Sequence, residues 1–238
     1  MRNFAKVLAG LVLVAGVGVA RADFEGVVDY HITMSDNKQM DTEYMIKGKK
    51  IRINMSHGGN DTSSIMDMGG KKITTLMHKQ KMYMVHSIDQ AAKTASKHAP
   101  EGKVSKASGT KNILGYTCEH WIYEGKNSKV DFWGAKGLGT FMGMGNSQGG
   151  ASKEDDWTKA FKDKGVFPLE VDTNLKDHKT MTMVATKVDK KSLDSGLFEV
   201  PAGYKKMDMP DMSGMMGGKD GKKPSKEDIL KMMEKYKH

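Results

Sequence analysis

The chain has 238 residues, a formal net charge of +9, 28% charged residues and only 7% aromatic ones. That length suits one domain or at most two, and the lone cysteine excludes a disulfide-stapled scaffold and cysteine-based zinc or haem sites. The 21 methionines replace part of the usual aliphatic complement, so we expect a pliable, methionine-rich interior. The positive charge comes without a basic–aromatic motif, and we therefore expect no nucleic-acid partner.

Residues 1–22 have the three parts of a secretory signal peptide. Arg2 and Lys6 form the positive end, residues 7–20 are apolar, and Ala20-Arg21-Ala22 fits the small-x-small cleavage pattern. As a helix the apolar stretch would be about 21 Å long, which is shorter than a bilayer core. We therefore expect cleavage after Ala22, a periplasmic or secreted location, and a mature protein that does not span the membrane.

Short apolar segments alternate with tight turns through residues 24–85. The turns are rich in Gly, Asn, Asp and Lys, and the segments recur about every 8–12 positions, which is typical of an antiparallel meander. Residues 87–110 are polar and carry several lysines, so we expect a loop there. Strands are predicted to resume over residues 111–125 and 129–135, with a turn between them, and two more are predicted over 167–173 and 180–188.

One helix is predicted between Ser152 and Lys164. Ser152 can cap its start, Asp155 follows three residues later, and Gly165 comes directly after its end. Trp157 and Phe161 share one face of this helix and should dock on the sheet. The predicted fold is mainly β: a curved antiparallel sheet or incomplete barrel over residues 23–206, with one or two covering helices.

A different kind of sequence follows the predicted domain. Residues 207–224 are rich in Met, Gly and Lys without a strand or helix period, and we interpret them as a flexible linker. Residues 225–238 begin with the potential cap Ser225 and place apolar residues at helical spacing, which predicts a short amphipathic helix. Such a helix is marginal alone in water and needs a surface on which to dock.

Several segments together resemble a bacterial family of secreted proteins classified only as a domain of unknown function, whose members share a general look with the LolA/LolB-like lipoprotein-carrier fold. The segments are FEGVVDY, YMIKGKKIRI, KMYMV, ILGYTCEHWIY, FPLEV and LFEVPAGYKKM, and they cover most of residues 24–207. The resemblance implies a strongly curved sheet with helices over its concave side. It also implies that the concavity holds an acyl chain, a lipoprotein or another apolar ligand, and it supplies no catalytic residues.

Four Met-x-Met pairs are the candidate functional feature. Residues i and i+2 of a strand point to the same face, so each pair forms either the apolar side of a half-buried strand or the wall of a pliable groove. The candidate ligand-binding residues are Met66, Met68, Met82, Met84, Met181, Met183 and Trp157. The fourth pair, Met142 and Met144, lies in a glycine-rich segment.

Thioether sulfurs also select Cu(I). The alternative metal site is in the tail, where flexible chain brings together Met207, Met209, Met212, Met215 and Met216. His86 should share a face with Met82 and Met84, which would give a mixed thioether–imidazole arrangement. Apart from copper we expect no cofactor.

The sequence therefore predicts an exported, non-enzymatic binding protein that holds an apolar ligand, a lipid or a lipidated partner in a methionine-rich concavity. One alternative is a periplasmic Cu(I)-binding or buffering protein that uses the tail. Another is a structural or interaction protein of the cell envelope with an envelope protein as its partner. Cys118 and His120 lie on one strand face, but their spacing does not supply the hydrogen bond that a Cys–His nucleophile requires.

Overall fold

The computed structural model describes residues 24–57, 60–89, 102–126, 128–143, 164–175 and 180–207, together with Thr158 and Phe161. Most of these residues belong to β-strands. The strands are β1 Gly26–Met34, β2 Gln39–Lys47, β3 Lys50–His57, β4 Asn60–Asp67, β5 Lys72–Met77, β6 Met82–Ser87, β7 Lys103–Ile113, β8 Tyr116–Glu124, β9 Ser128–Lys136, β10 Val166–Leu175, β11 Thr180–Lys190 and β12 Lys205–Lys206.

All twelve strands form one open sheet. Their order is β12-β6-β5-β4-β3-β2-β1-β11-β10-β9-β8-β7, and every pairing is antiparallel except that of β12 with β6, which is parallel. The strands from β1 to β6 form one meander and those from β7 to β11 form another, and the two meanders are joined by the β1–β11 ladder. β7 and β12 form the edges of the sheet. The predicted class, a mainly antiparallel β fold with an unclosed sheet, is confirmed.

The loop predicted over residues 87–110 is wrong in its second half. β7 begins at Lys103 and pairs with β8 along its length, with a register shift between Lys106 and Thr110. Most of its residues are exposed, so the strand lacks the apolar alternation by which a strand is recognised. Backbone pairing with β8 holds it in place, and its lysines are typical of a protected sheet edge.

Other predicted segments fall largely outside the described residues. Of the helix predicted from Ser152 to Lys164, only Thr158 and Phe161 are described as helical, and both are buried. The signal peptide and the tail after Met207 also lie outside the described residues. No helix in the described part of the chain is long and apolar enough to cross a membrane.

The sheet curves around one of its faces, which we call the core face. Strands β2 and β10 are three positions apart, which corresponds to about 14 Å in a flat sheet. Nevertheless, the ring of Tyr44 in β2 lies 5.5 Å from that of Phe167 in β10. The hydroxyl of Tyr30 in β1 also donates a hydrogen bond of 2.6 Å to the carbonyl oxygen of Pro168. The main hydrophobic core fills this concave side, with Phe161 packed edge-on against Phe132 at 4.0 Å.

The opposite face is partly covered by residues 191–207, which we call the strap. Leu193 and Phe198 of the strap pack into a second, smaller apolar cluster formed by Val27, Met45, Ile65 and Leu76. The strap contains one 3₁₀ turn, Ser195–Phe198, whose cap Asp194 accepts a hydrogen bond from the Gly196 amide. We call this side of the sheet the strap face.

Candidate functional site

Two of the predicted methionine pairs belong to the main hydrophobic core or pack against it. Met66 in β4 and Met183 in β11 are both buried in the main core, and Met68 and Met181 are partly buried against the same cluster. In each pair the two residues are therefore on the same side, as strand alternation predicts. Their burial places them in the wall of the concave face.

The remaining candidates are distributed differently. Met82 and Met84 in β6 are on the core face, opposite Met77 and Thr75, but among the described residues neither belongs to the core cluster. Trp157, Met209, Met212, Met215 and Met216 lie outside the described residues, so the copper hypothesis for the tail stays a prediction. Met207 is described, and its amide donates a hydrogen bond of 2.8 Å to the Tyr83 carbonyl at the sheet edge.

Strand register also aligns methionines that the sequence alone did not single out. Met77 lies opposite Met82, and Met34 lies opposite Met181. Met55 lies in the same cross-strand row as Met77 and Met82, and this row reaches β1 at Tyr30. Most of these side chains are only partly buried. They form a methionine rim along one end of the core face, composed of Met34, Met40, Met55, Met77, Met82 and Met181.

The core face also carries polar atoms that have no hydrogen-bond partner among the described residues. Each of these atoms is buried, whereas most buried polar groups in folded proteins have a hydrogen-bond partner. Each unpaired group lowers the free energy of unfolding by about 1–3 kcal/mol. The sequence analysis did not predict these groups. The pattern that could have indicated them is a Ser or Thr at a position of a strand where an apolar residue is expected, as in SSIM and ITTL. On the strands of this face they belong to Thr42, Ser64, Thr75, His86, Trp121 and Thr173.

Three of these residues lie close together at the β4–β6 end, and we call them the polar patch: Ser64, Thr75 and His86. Ser64 lies directly opposite Thr75, and Thr75 lies directly opposite Met84. His86 follows Met84 by two residues and is therefore diagonal to Thr75, at a separation of about 7–8 Å that an imidazole can bridge. Within the described part of the chain, two hydroxyls and the Nε2 atom of one imidazole on this part of the core face thus have no hydrogen-bond partners.

The strap face has an open groove with a volume of about 550 Å³. Its wall is acidic, because Asp29 lies directly opposite Glu43 and Asp41 and Asp61 lie nearby. Burial and then the charge of Glu43 raise the pKa of Asp29. Like charges directly opposite one another on a sheet are destabilising, so the acidic wall is maintained against a local cost.

A hydrogen-bond network crosses the floor of this groove and ends on the strap. Asn54 Oδ1 accepts from Arg52 Nε at 2.7 Å and from the Ser63 hydroxyl at 2.7 Å. Since the single proton of Ser63 is used there, the 2.6 Å contact with His78 requires Nε2 of His78 to donate. The hydroxyl of Tyr204 then donates to Nδ1 of neutral His78, also at 2.6 Å.

This directionality decides what the Ser63–His78 pair can do. A general base must accept the proton of the nucleophile, whereas His78 donates to Ser63. Burial and then the positive charge of Arg52 lower the pKa of His78, against a smaller opposite effect of Asp61. Arg52 also donates from Nη1 to the Leu197 carbonyl at 2.6 Å. The network therefore attaches the strap to the sheet and does not activate Ser63.

The lone cysteine is not paired with an imidazole either. Cys118 is buried, its Sγ lies 3.6 Å from the Tyr116 carbonyl, and burial is the main cause that raises the pKa of its thiol. His120 instead stacks on Trp133 and contacts Asp131 at 2.6 Å. Among the described residues, no group of three or more His, Cys, Asp or Glu side chains is placed to hold a metal ion.

The fold and the sequence together define a mainly antiparallel β domain of a recognised family. The chain belongs to the family DUF4412, a domain of unknown function, whose profile matches residues 24–204. This confirms the resemblance to an uncharacterised domain family, while the similarity to lipoprotein carriers stays a prediction. None of the curated proteins matches the sequence.

Two solved structures are similar to this chain at low identity. The structure of PNGF-II in space group C2 aligns with a TM-score of 0.47 and 13% identity, over 80% of this chain and 32% of that one. The chain thus spans about a third of the length of PNGF-II. An uncharacterized conserved protein from Thermus thermophilus aligns with a TM-score of 0.47 and 7% identity, over 77% of this chain and 90% of that one.

Proposed function

We propose that this protein is an exported binding protein that holds an apolar or amphiphilic ligand, such as a lipid or a lipidated partner, on its core face. The observation that supports this most is the methionine rim, which is contributed by six strands and borders the hydrophobic core. An ordinary core margin needs no such concentration of unbranched side chains. Thioether side chains repack around ligands of different shape, as methionine-rich binding surfaces do.

The mechanism we propose is burial of the apolar part of the ligand between the rim and the core. Each square ångström of apolar surface removed from water contributes about 25 cal/mol. The partly buried rim residues Met34, Met40 and Met181 can move without opening the buried layer beneath them, to which Met183 belongs. The rim is therefore the part of the core face at which a chain could enter.

The test compares two substitutions on adjacent residues of one strand. Met34 is on the core face in the rim, whereas Thr33 precedes it and points to the strap face. Met34→Lys places a charge where the apolar ligand would enter, and Thr33→Lys places the same charge at the same height on the other side. We expect the first variant to lower the affinity for a neutral apolar fluorophore, N-phenyl-1-naphthylamine, at least tenfold and the second to leave it unchanged.

Two further readouts make the result decisive. A native mass spectrum of protein purified from an exporting host should show added mass that solvent extraction removes. Circular dichroism should show that both variants remain folded. If the folded Met34→Lys variant binds the fluorophore as tightly as the native chain, or if the native chain shows no saturable binding, the proposed function is wrong.

A further inference from the structure

We infer that the polar patch is the headgroup subsite of this face, and that the ligand is a single-chain amphiphile with a carboxylate head. This inference rests on the proposed function and adds the chemical class of the ligand. Ser64 and Thr75 are 0% and 3% exposed, and neither hydroxyl has a hydrogen-bond partner among the residues that the structure describes. A folded protein keeps such groups unpaired at a cost, and a bound acceptor would remove that cost.

The geometry of the patch matches one polar head and one apolar chain. Ser64 and Thr75 are directly opposite each other, and His86 is diagonal to Thr75, so the three residues are cross-strand neighbours on one face. Along β6, His86 is four residues from Met82 of the rim, which corresponds to about 14 Å. A head at the patch would therefore leave its chain running over Met84 towards the rim.

The donor count favours a carboxylate. Two hydroxyls and one imidazole can supply three hydrogen bonds, and an ionised carboxylate has two oxygens with about four lone-pair sites to accept them. The two cross-strand rows that contain the patch, from β1 to β6, carry no Lys or Arg within the described residues. A phosphate head normally takes Arg or Lys partners, so a group with a single negative charge fits these rows better.

The experiment measures preference between two ligands that differ only in the head. Dodecanoate and methyl dodecanoate are used to displace N-phenyl-1-naphthylamine from the native chain, and we expect dodecanoate to displace it at a concentration at least tenfold lower. Thr75→Val is nearly isosteric and removes only the hydroxyl, and combined with His86→Phe it should abolish the preference. Thr173→Val is the matched control, because its hydroxyl is also buried and unpartnered on the core face but lies in β10.

The outcomes separate this inference from the proposed function. Equal displacement by both compounds overturns the carboxylate subsite and leaves apolar binding intact, whereas displacement by neither overturns both. Stability gives a second readout, because Thr75→Val removes a hydroxyl that has no partner in the unliganded protein. The urea midpoint of the ligand-free variant should stay the same or rise. A lowered midpoint would show that the hydroxyl is already satisfied and would also overturn the inference.

Discussion

Phe198→Ala tests whether the strap is held mainly by its apolar contacts. The Phe198 side chain is 4% exposed and packs in the strap-face cluster. Truncation of a buried Phe costs about 3–5 kcal/mol. Because the strap is a connecting segment that can settle into the space left behind, we expect about 3 kcal/mol, at the lower end of that range. A domain of this kind has about 5–15 kcal/mol in total, so the loss should be easily measured. The Phe198 ring that the substitution removes packs in the cluster formed by Val27, Met45, Ile65, Leu76 and Leu193.

Urea unfolding followed by tryptophan fluorescence measures this loss, and Val200→Ala is the control. Val200 is in the same strap but is 36% exposed, so its truncation should change stability by no more than about 0.5 kcal/mol. Amide exchange adds a local readout at two strap residues that follow Phe198. The Lys205 amide donates to the Lys81 carbonyl in the turn before β6, and the Met207 amide donates to the Tyr83 carbonyl in β6. Both amides should exchange faster in Phe198→Ala. A loss below about 1 kcal/mol would refute apolar anchoring of the strap and would leave the polar network as its main attachment.

Three other perturbations address the groove and the curvature of the sheet. The pKa of His78 is lowered in the fold. Neutral His78 therefore stabilises the fold above the ordinary histidine pKa, and this stabilisation is lost as the pH falls below that value. The urea midpoint should drop between about pH 7.5 and 5.5, and the drop should be smaller in His78→Gln. Tyr30→Phe leaves the Pro168 carbonyl without its 2.6 Å partner and should cost about 1–3 kcal/mol in urea unfolding. Gly26→Ala would place a Cβ 2.3 Å from a backbone oxygen of β11, which should lower the melting temperature and the yield of folded protein.

Each of these three predictions has its own control. An equal pH response in His78→Gln and the native chain would assign the effect to other groups. Tyr30→Phe is compared with Tyr83→Phe in the strap-face cluster, and equal costs would show that the β1–β10 hydrogen bond is unimportant. Gly69→Ala is the counterpart of Gly26→Ala, since a Cβ at Gly69 would make only ordinary contacts at 3.4 Å; a well-folded Gly26→Ala protein would contradict the close approach of β1 and β11.

Strand prediction succeeded where apolar alternation and turn chemistry agreed. The meander from β1 to β6 has both signals, and its residues alternate between the two faces as the pattern predicts. β7 has neither signal, because most of its residues are exposed and few of its side chains, such as Ile113, reach the core. Its pairing depends on backbone hydrogen bonds, which do not depend on side-chain type, and a single sequence gives little indication of it.

The candidate site was predictable only in part. The i, i+2 spacing of Met181 and Met183 places both on one face whatever the topology. The rim could not be predicted, because it depends on the register between strands and on the pairing of β1 with β11 inside the open, curved sheet. The patch depends in the same way on Ser64 and Thr75 being opposite each other.

The amino-acid sequence by itself determined the local properties of this protein: where the strands other than β7 lie, which side chains share a face, and how rich in methionine that face is. These follow from the two-residue period of a strand and from side-chain chemistry. The tertiary structure decided which strands are neighbours, and it thereby joined the rim, left the polar patch without partners and attached the strap through His78 and Tyr204. Contacts between residues distant in the chain depend on register and curvature, which local periodicity does not encode.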